Sequence, residues 1–317
     1  MLSINKISFS YNLLPTVKNI SFTVKKGETL VVIGKSGCGK STLLKLIFGL
    51  YDLDSGSISW NDIEVTGPKY NLIPGMPFIK HLSQDFDLMP FITVEENVGK
   101  HLSNFYPEQK QERINELLDI VEMTDYAKVK VKHLSGGQMQ RVAIARVLAL
   151  EPEVLLLDEP FSSIDNFLKN SLRRKFFKYL KQKNITCIVA THDSTDVMSF
   201  SDEVLVMKEG KVIKKATAVD LYNNPESLYV ASLFGDVNEI PSKYLEDLFS
   251  KGNKFIYPDK LIITDYSNLK VKVISSYFNG FCYLIEASYF EGTLYFNNDN
   301  SLEIALEVYL KIKPQNN

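Results

Sequence analysis

Residues 34–42 run Gly34, Lys35, Ser36, Gly37, Cys38, Gly39, Lys40, Ser41 and Thr42. They satisfy the pattern G-x-x-x-x-G-K-[ST] at Gly34, Gly39, Lys40 and Ser41. Glycines permit a tight backbone whose N–H groups converge on phosphate oxygens. Lys40 then supplies a point charge for the outer two phosphates of a nucleotide, and the Ser41 hydroxyl is a hard oxygen ligand for Mg²⁺. A chance glycine-rich turn is the competing reading. The full pattern arises by accident roughly once in a hundred chains of this composition, so nucleotide binding is favoured.

Three further stretches carry chemistry. Asp158-Glu159-Pro160 follows the apolar run 154–157. An acid at the carboxyl end of a buried strand sits where α/β sheets keep their ligands. Asp158 suits the shell of a Mg²⁺ ion and Glu159 the polarisation of an attacking water, the alternative being a surface acid pair. Thr191-His192-Asp193 closes the β-rich run 185–190, where His192 can hydrogen-bond a terminal phosphate, although a lone histidine is more often structural. Ser135-Gly136-Gly137-Gln138 stands directly before an apolar helix. It is either a second anion site built on backbone N–H groups and the helix dipole, or an ordinary N-cap. Tyr11, in a loop ahead of the glycines, is either an adenine-stacking ring or a plain core or surface tyrosine.

The elements that must position these residues follow from periodicity. Residues 29–33 are a β-branched apolar run, expected as a buried parallel strand, and 41–50 read as the helix beneath the phosphates. Residues 2–9 and 20–24 alternate with period two and predict an antiparallel pair, joined by a strand at 57–60. Residues 67–80 are rich in glycine and proline and read as a loop, followed by a strand that ends at Gln84. Thr93 caps a helix, residues 107–123 form a second, and 172–183 form a basic helix with one apolar side. The lysines at 128, 130 and 132 read as a solvated face, and 203–207 with 211–215 as a hairpin.

Composition bounds the class. The 317 residues are 45% hydrophobic and 23% charged with a net charge of −2, which predicts about two globular domains and argues against a dedicated nucleic-acid binder. The three cysteines at 38, 187 and 282 are too few and too scattered for a disulfide framework or a metal site, and are expected as free thiols. No apolar stretch reaches the roughly 20 residues of a membrane span, and the first residues lack a signal-peptide core, so the chain is expected to be soluble.

Taken together, residues 1 to about 235 resemble the ATP-binding subunit of an ATP-binding-cassette (ABC) transporter. The most specific element is Leu134-Ser135-Gly136-Gly137-Gln138, placed between the phosphate loop and Asp158-Glu159-Pro160. The resemblance implies an α/β P-loop cassette with a mixed sheet core, an antiparallel β subdomain and a helical subdomain. It makes Tyr11 the adenine-stacking aromatic, Gln84 the glutamine that senses Mg²⁺ and the membrane partner, and Asp165 part of the loop joining two nucleotide sites. It makes Glu159 the catalytic base and His192 the switch histidine, with Lys40 on the phosphates. Ser41, Gln84 and Asp158 become the Mg²⁺ set. It further implies a dimer, of two copies or of related cassettes, in which Ser135, Gly136, Gly137 and Gln138 of one subunit complete the ATP site of the other.

The tail refines this expectation. Beyond about residue 238 the composition shifts to aromatic, alternating strands at 269–276, 281–287, 292–296 and 304–312. This resembles the small oligonucleotide-binding-like (TOBE) β-barrel of importer ATPases, although Tyr257 stands where many relatives carry arginine. The alternation assigns the tail's aromatics to its core. The expected layout is thus a cassette at 1–237 and an all-β domain at 238–317. The expected function is ATP hydrolysis coupled to solute uptake through separate permease subunits, with the chain peripheral to the inner face of the membrane. Ferric iron, an oxyanion or a polyamine are the candidate solutes. An exporter ATPase or a soluble non-transport ABC ATPase is the alternative, against which the β tail and the single cassette argue.

Overall fold

The computed structural model describes residues 1–83, 85–245 and 253–314. They divide into two compact units, Met1–Ala218 and Val219–Asn317.

In the first unit, β1 (Leu2–Tyr11) and β2 (Leu14–Val24) form a hairpin that turns at Asn12 and Leu13, both at positive φ. Tyr11 is therefore the last residue of a strand, paired with Leu14, and not a loop residue as its position suggested. Next come β3 (Thr29–Ile33), α1 (Lys40–Phe48), β4 (Ser55–Trp60), β5 (Ile63–Glu64) and β6 (Ile79–Leu82). Strands β2-β1-β4-β5 make an antiparallel sheet whose alternation buries Leu2, Ile4, Ile7 and Phe9 on one face.

The helical segment holds α2 (Val94–Val98) and α3 (Pro107–Ile120). Thr93 caps α2 in a reciprocal box with Glu96, which satisfies two otherwise orphaned donors. Then α4 (Gly136–Leu148), β7 (Val154–Asp158), α5 (Asn166–Gln182), β8 (Thr186–Ala190), α6 (Ser194–Phe200), β9 (Glu203–Lys208) and β10 (Lys211–Ala216) complete the unit. α5 starts six residues before its buried apolar stripe, because its first turns, Phe167 included, are not buried.

A six-stranded sheet in the order β10-β9-β3-β8-β7-β6 is parallel except for β10 at its edge. Every residue of β3, β7 and β8 is buried, which explains their unbroken apolar runs. All three end on the same edge of the sheet, and there the phosphate loop, Asp158-Glu159 and Thr191-His192 emerge.

α7 (Ala218–Asn223) starts at the last residue of the first unit; the second unit holds the rest of it, α8 (Leu228–Ala231) and, among the described residues, seven strands: β11 (Asn238–Pro241), β12 (Asn253–Ile256), β13 (Leu261–Thr264), β14 (Leu269–Phe278), β15 (Tyr283–Tyr289), β16 (Gly292–Asn298) and β17 (Glu307–Ile312). Strands β13-β17-β14-β15-β16 form an antiparallel sheet, and β11 pairs with β12. Tyr257 is buried; its ring stacks on Tyr222 at 4.1 Å and its hydroxyl donates to the Ala231 carbonyl at 3.1 Å. The core is Leu269, Val271, Val273, Ile285, Leu294 and Phe296, among others. The aromatics only partly obey the expected alternation. Phe296 is buried, whereas Phe278, the last residue of β14, and Phe281 and Phe290, in the turns on either side of β15, lie exposed at the two hairpin ends.

Candidate nucleotide site

The phosphate loop leaves β3 and enters α1 through Gly39, the N-cap residue, whose φ of 105° is open to glycine but strained for other residues. A Cβ there would also lie 3.0 Å from the Thr16 carbonyl oxygen. Gly34 and Cys38 are buried, while Lys35, Ser36 and Gly37 are exposed at the turn. Lys40 donates from Nζ to the Gly34 carbonyl at 2.7 Å, so its charge is held over the loop.

Asp158 ends β7 and is buried. Burial pushes its carboxyl above the ordinary aspartate value, against a hydrogen bond from Ser41 and the charges of Lys45 and Lys40. Ser41 and Asp158, 117 positions apart, thus meet beside Lys40. Thr42 hydrogen-bonds Tyr11, whose hydroxyl is raised mainly by burial and by Tyr51. The Tyr11 ring makes T-shaped contacts with Phe9 at 4.7 Å and Tyr51 at 5.5 Å, and the residue is 36% exposed.

Glu159 follows at φ 51°, a conformation costing about 1 kcal/mol or more for a residue with a Cβ. Its backbone is pinned on both sides. The N–H donates to the Ala190 carbonyl at 2.9 Å, and the carbonyl accepts from Gln140 Nε2 at 2.8 Å and Ser162 Oγ at 3.1 Å. This aims the side chain at His192, whose Nδ1 lies 2.8 Å from Glu159 Oε1. The His192 segment is itself braced from behind. Buried Arg173 of α5 pairs with Asp193 at 2.5 Å and Asp196 at 2.6 Å, and Asp196 accepts from the Thr191 hydroxyl at 3.0 Å. The Arg173–Asp196 pair is a charge contact, since neither facing atom meets hydrogen-bond geometry.

A second group of site residues surrounds the start of α4. Ser135 caps the helix and Gln138 reaches back to it, its Oε1 accepting from the Ser135 N–H at 2.9 Å. Ser135 and Gly136 are exposed, so the first turn offers its N–H groups at the surface. Gly137 packs on the loop after β7, where a Cβ would come within 2.6 Å of the Ser163 carbonyl oxygen. Asp165 precedes α5 and is exposed, with no side-chain cap hydrogen bond. Gln84 lies outside the described residues.

Gln140, Arg173, Asp193 and Asp196 were not apparent as site residues. A sequence signal did exist for Arg173, which falls on the apolar stripe of α5 beside Leu172, Phe176 and Phe177. Gln140 is similarly a polar residue inside a buried helical run.

A family model described as "ABC transporter" matches residues 17–162. The Fe(3+) ions import ATP-binding protein FbpC of Mannheimia succiniciproducens is 36% identical over 237 residues, which are 74% of this chain and 66% of that protein, just under two thirds. The spermidine/putrescine import ATP-binding protein PotA of Clostridioides difficile is 31% identical over 337 residues, 99% of this chain and 96% of its own length. This chain belongs to the ABC transporter family. Among solved structures, a dimeric ATP-binding cassette in a post-hydrolysis state with ADP and Pi superposes with a TM-score of 0.61 at 28% identity, covering 69% of this chain and 99% of that one.

ABC ATPases bind ATP with Mg²⁺ and hydrolyse it, and this chain is one of them. Its residues fit both groups. Among the described residues no cluster of three His, Cys, Asp or Glu side chains could hold a metal alone. A single buried carboxylate beside a hydroxyl suits Mg²⁺, which keeps several waters and takes phosphate oxygens as ligands. The raised Asp158 carboxyl is what a buried acid shows before a cation compensates its charge. No helix among the described residues is long and apolar enough to cross a membrane.

Proposed function

We propose that this chain is the ATP-hydrolysing subunit of an ABC import system. It works as a dimer, of two copies or with a related cassette, and drives solute uptake through separate permease subunits at the inner face of the membrane. The functional division is a cassette at 1–237 and a TOBE-like domain at 238–317. The observation that carries the reading is the convergence of Lys40, Ser41, Asp158, Glu159 and His192 at one sheet edge. Lys40 and the loop N–H groups hold the phosphates of ATP, Ser41 and Asp158 hold Mg²⁺ together with Gln84, and Tyr11 stacks on the adenine.

Glu159 takes the proton of the attacking water, and His192 bridges Glu159 and the γ-phosphate. Fixed charges and positioning supply most of the rate acceleration. Ser135, Gly136, Gly137 and Gln138 of one subunit close over nucleotide held by the other, with Asp165 beside them. ATP between two anion-binding surfaces favours the closed dimer, and hydrolysis removes that contact.

Support for import comes from the β-sheet tail of the second unit and from relatives named as import ATP-binding proteins. Those names favour a polyamine or ferric iron as the solute. Glu159→Gln should bind MgATP, dimerise and turn over at least a hundredfold more slowly. Hydrolysis by that variant at the parent rate would remove Glu159 from its role.

A further inference from the structure

Gln140 carries an amide that the scheme above does not use. It stands on α4 two residues after Gln138, and it is 2% exposed. Its contacts run to the stretch that follows β7. Nε2 donates to the Glu159 carbonyl at 2.8 Å and to the Ser162 hydroxyl oxygen at 3.4 Å, while Oε1 accepts from the Ser163 N–H at 2.9 Å. Both functions of the amide are thus engaged, and a buried amide left unpaired would be costly.

The geometry has a consequence for Glu159. At φ 51° its direction depends on holding both flanking peptide groups. β8 holds the N–H side through Ala190, and Gln140 of α4, together with the Ser162 hydroxyl, holds the carbonyl side. The contact of Gly137 with the Ser163 carbonyl adds a steric lock. The first turns of α4 and residues 159–163 are therefore tied to each other by these contacts.

We infer that Gln140 is a positioning residue that couples the capture surface on α4 to the catalytic carboxylate of its own subunit. The inference rests on the ATPase reading above. Nucleotide of the partner subunit, gripped by Ser135–Gln138, sets the placement of α4, and Gln140 passes that placement to Glu159. Filling one site thereby aims the base of the other.

The test is steady-state ATP hydrolysis by the full chain carrying Gln140→Met, which keeps the length and loses both hydrogen-bonding functions. The expected result is a fall in kcat of tenfold or more with KM within twofold of the parent. In the Glu159→Gln background, the added Gln140→Met should leave ATP-driven dimerisation within twofold, because capture is intact. Should the methionine variant fail to fold, Gln140→Asn keeps the amide one methylene short and reads the same split. An unchanged kcat, a KM that rises in step with the loss of kcat, or a lost ATP-driven dimer would each overturn the inference. A parent protein without ATPase activity would refute the proposed function itself, before any Gln140 variant is compared.

Discussion

Arg173→Met tests whether the His192 segment is braced as described. Arg173 and Asp196 are both almost fully buried, and Asp193 is partly exposed. Removing one partner of a buried ion pair costs about 3–5 kcal/mol when the other charge is stranded. Here the loss has a ceiling, because Asp196 can take up a proton. Its carboxyl is already pushed up to about 6, by burial first, with Arg173 opposing. Without Arg173 it rises further. Each unit between pKa and pH corresponds to about 1.4 kcal/mol, so neutralising the group costs up to about 3 kcal/mol at pH 8 and little at pH 5.5.

An acid whose folded pKa is raised contributes stability that is present below its unfolded value and is lost as pH rises through the folded one. The penalty of Arg173→Met should therefore be about 4 kcal/mol at pH 8 and shrink to about 1 kcal/mol at pH 5.5, where only the lost contact with Asp193 remains. For a unit of this size that is a Tm lower by roughly 8–16 °C at pH 8. Melts of the nucleotide-free chain at the two pH values, with Asp196→Asn added in the variant background, measure it. Asp196→Asn should recover most of the loss at pH 8, and turnover should fall in the single variant because His192 loses its support. An equal loss of Tm at both pH values, with no recovery by Asp196→Asn, would refute the reasoning.

Other outcomes follow from the same geometry. Asp158→Asn should raise Tm without Mg²⁺ at neutral pH, since it removes a carboxyl whose burial disfavours its charge, yet abolish the further rise that MgATP gives the parent; paired thermal shifts check both. Tyr11→Ala should weaken ATP binding about fivefold, the equivalent of about 1 kcal/mol of stacking, while Tyr11→Phe stays close to the parent by equilibrium titration. Tyr257→Phe should lower the stability of the second unit by about 1 kcal/mol, the value of one hydrogen bond, and leave ATP hydrolysis unchanged; denaturant melts with ATPase rates measure both.

Residues 34–42 and 134–138 announce themselves because each does its work within one turn of chain: a loop that curls on its own carbonyls, and a capping box that closes over four residues. Apolar runs ending in Asp158 and in Thr191-His192 likewise reveal buried strands with chemistry at their ends, since a parallel sheet covered on both faces demands uninterrupted hydrophobicity. Periodicity failed where its premise did. Tyr11 extends β1 because Asn12 and Leu13 turn within two residues, and Phe278, Phe281 and Phe290 are exposed because they fall at hairpin turns, where strand alternation no longer applies.

Residue types and spacing by themselves determined the nucleotide loop, the acids proposed here for metal and water, the strand ends that present them and the all-β character of the tail. Tertiary structure alone decided that Gln140 holds the Glu159 backbone, that Arg173 braces the His192 segment between two acids, and that Tyr257 reaches Ala231. Those partners are separated by about 20 residues or more, and whether a buried polar group finds its complement depends on how the chain closes around it. Short-range backbone preference is written in neighbouring letters, but long-range polar pairing exists only once the layers have packed.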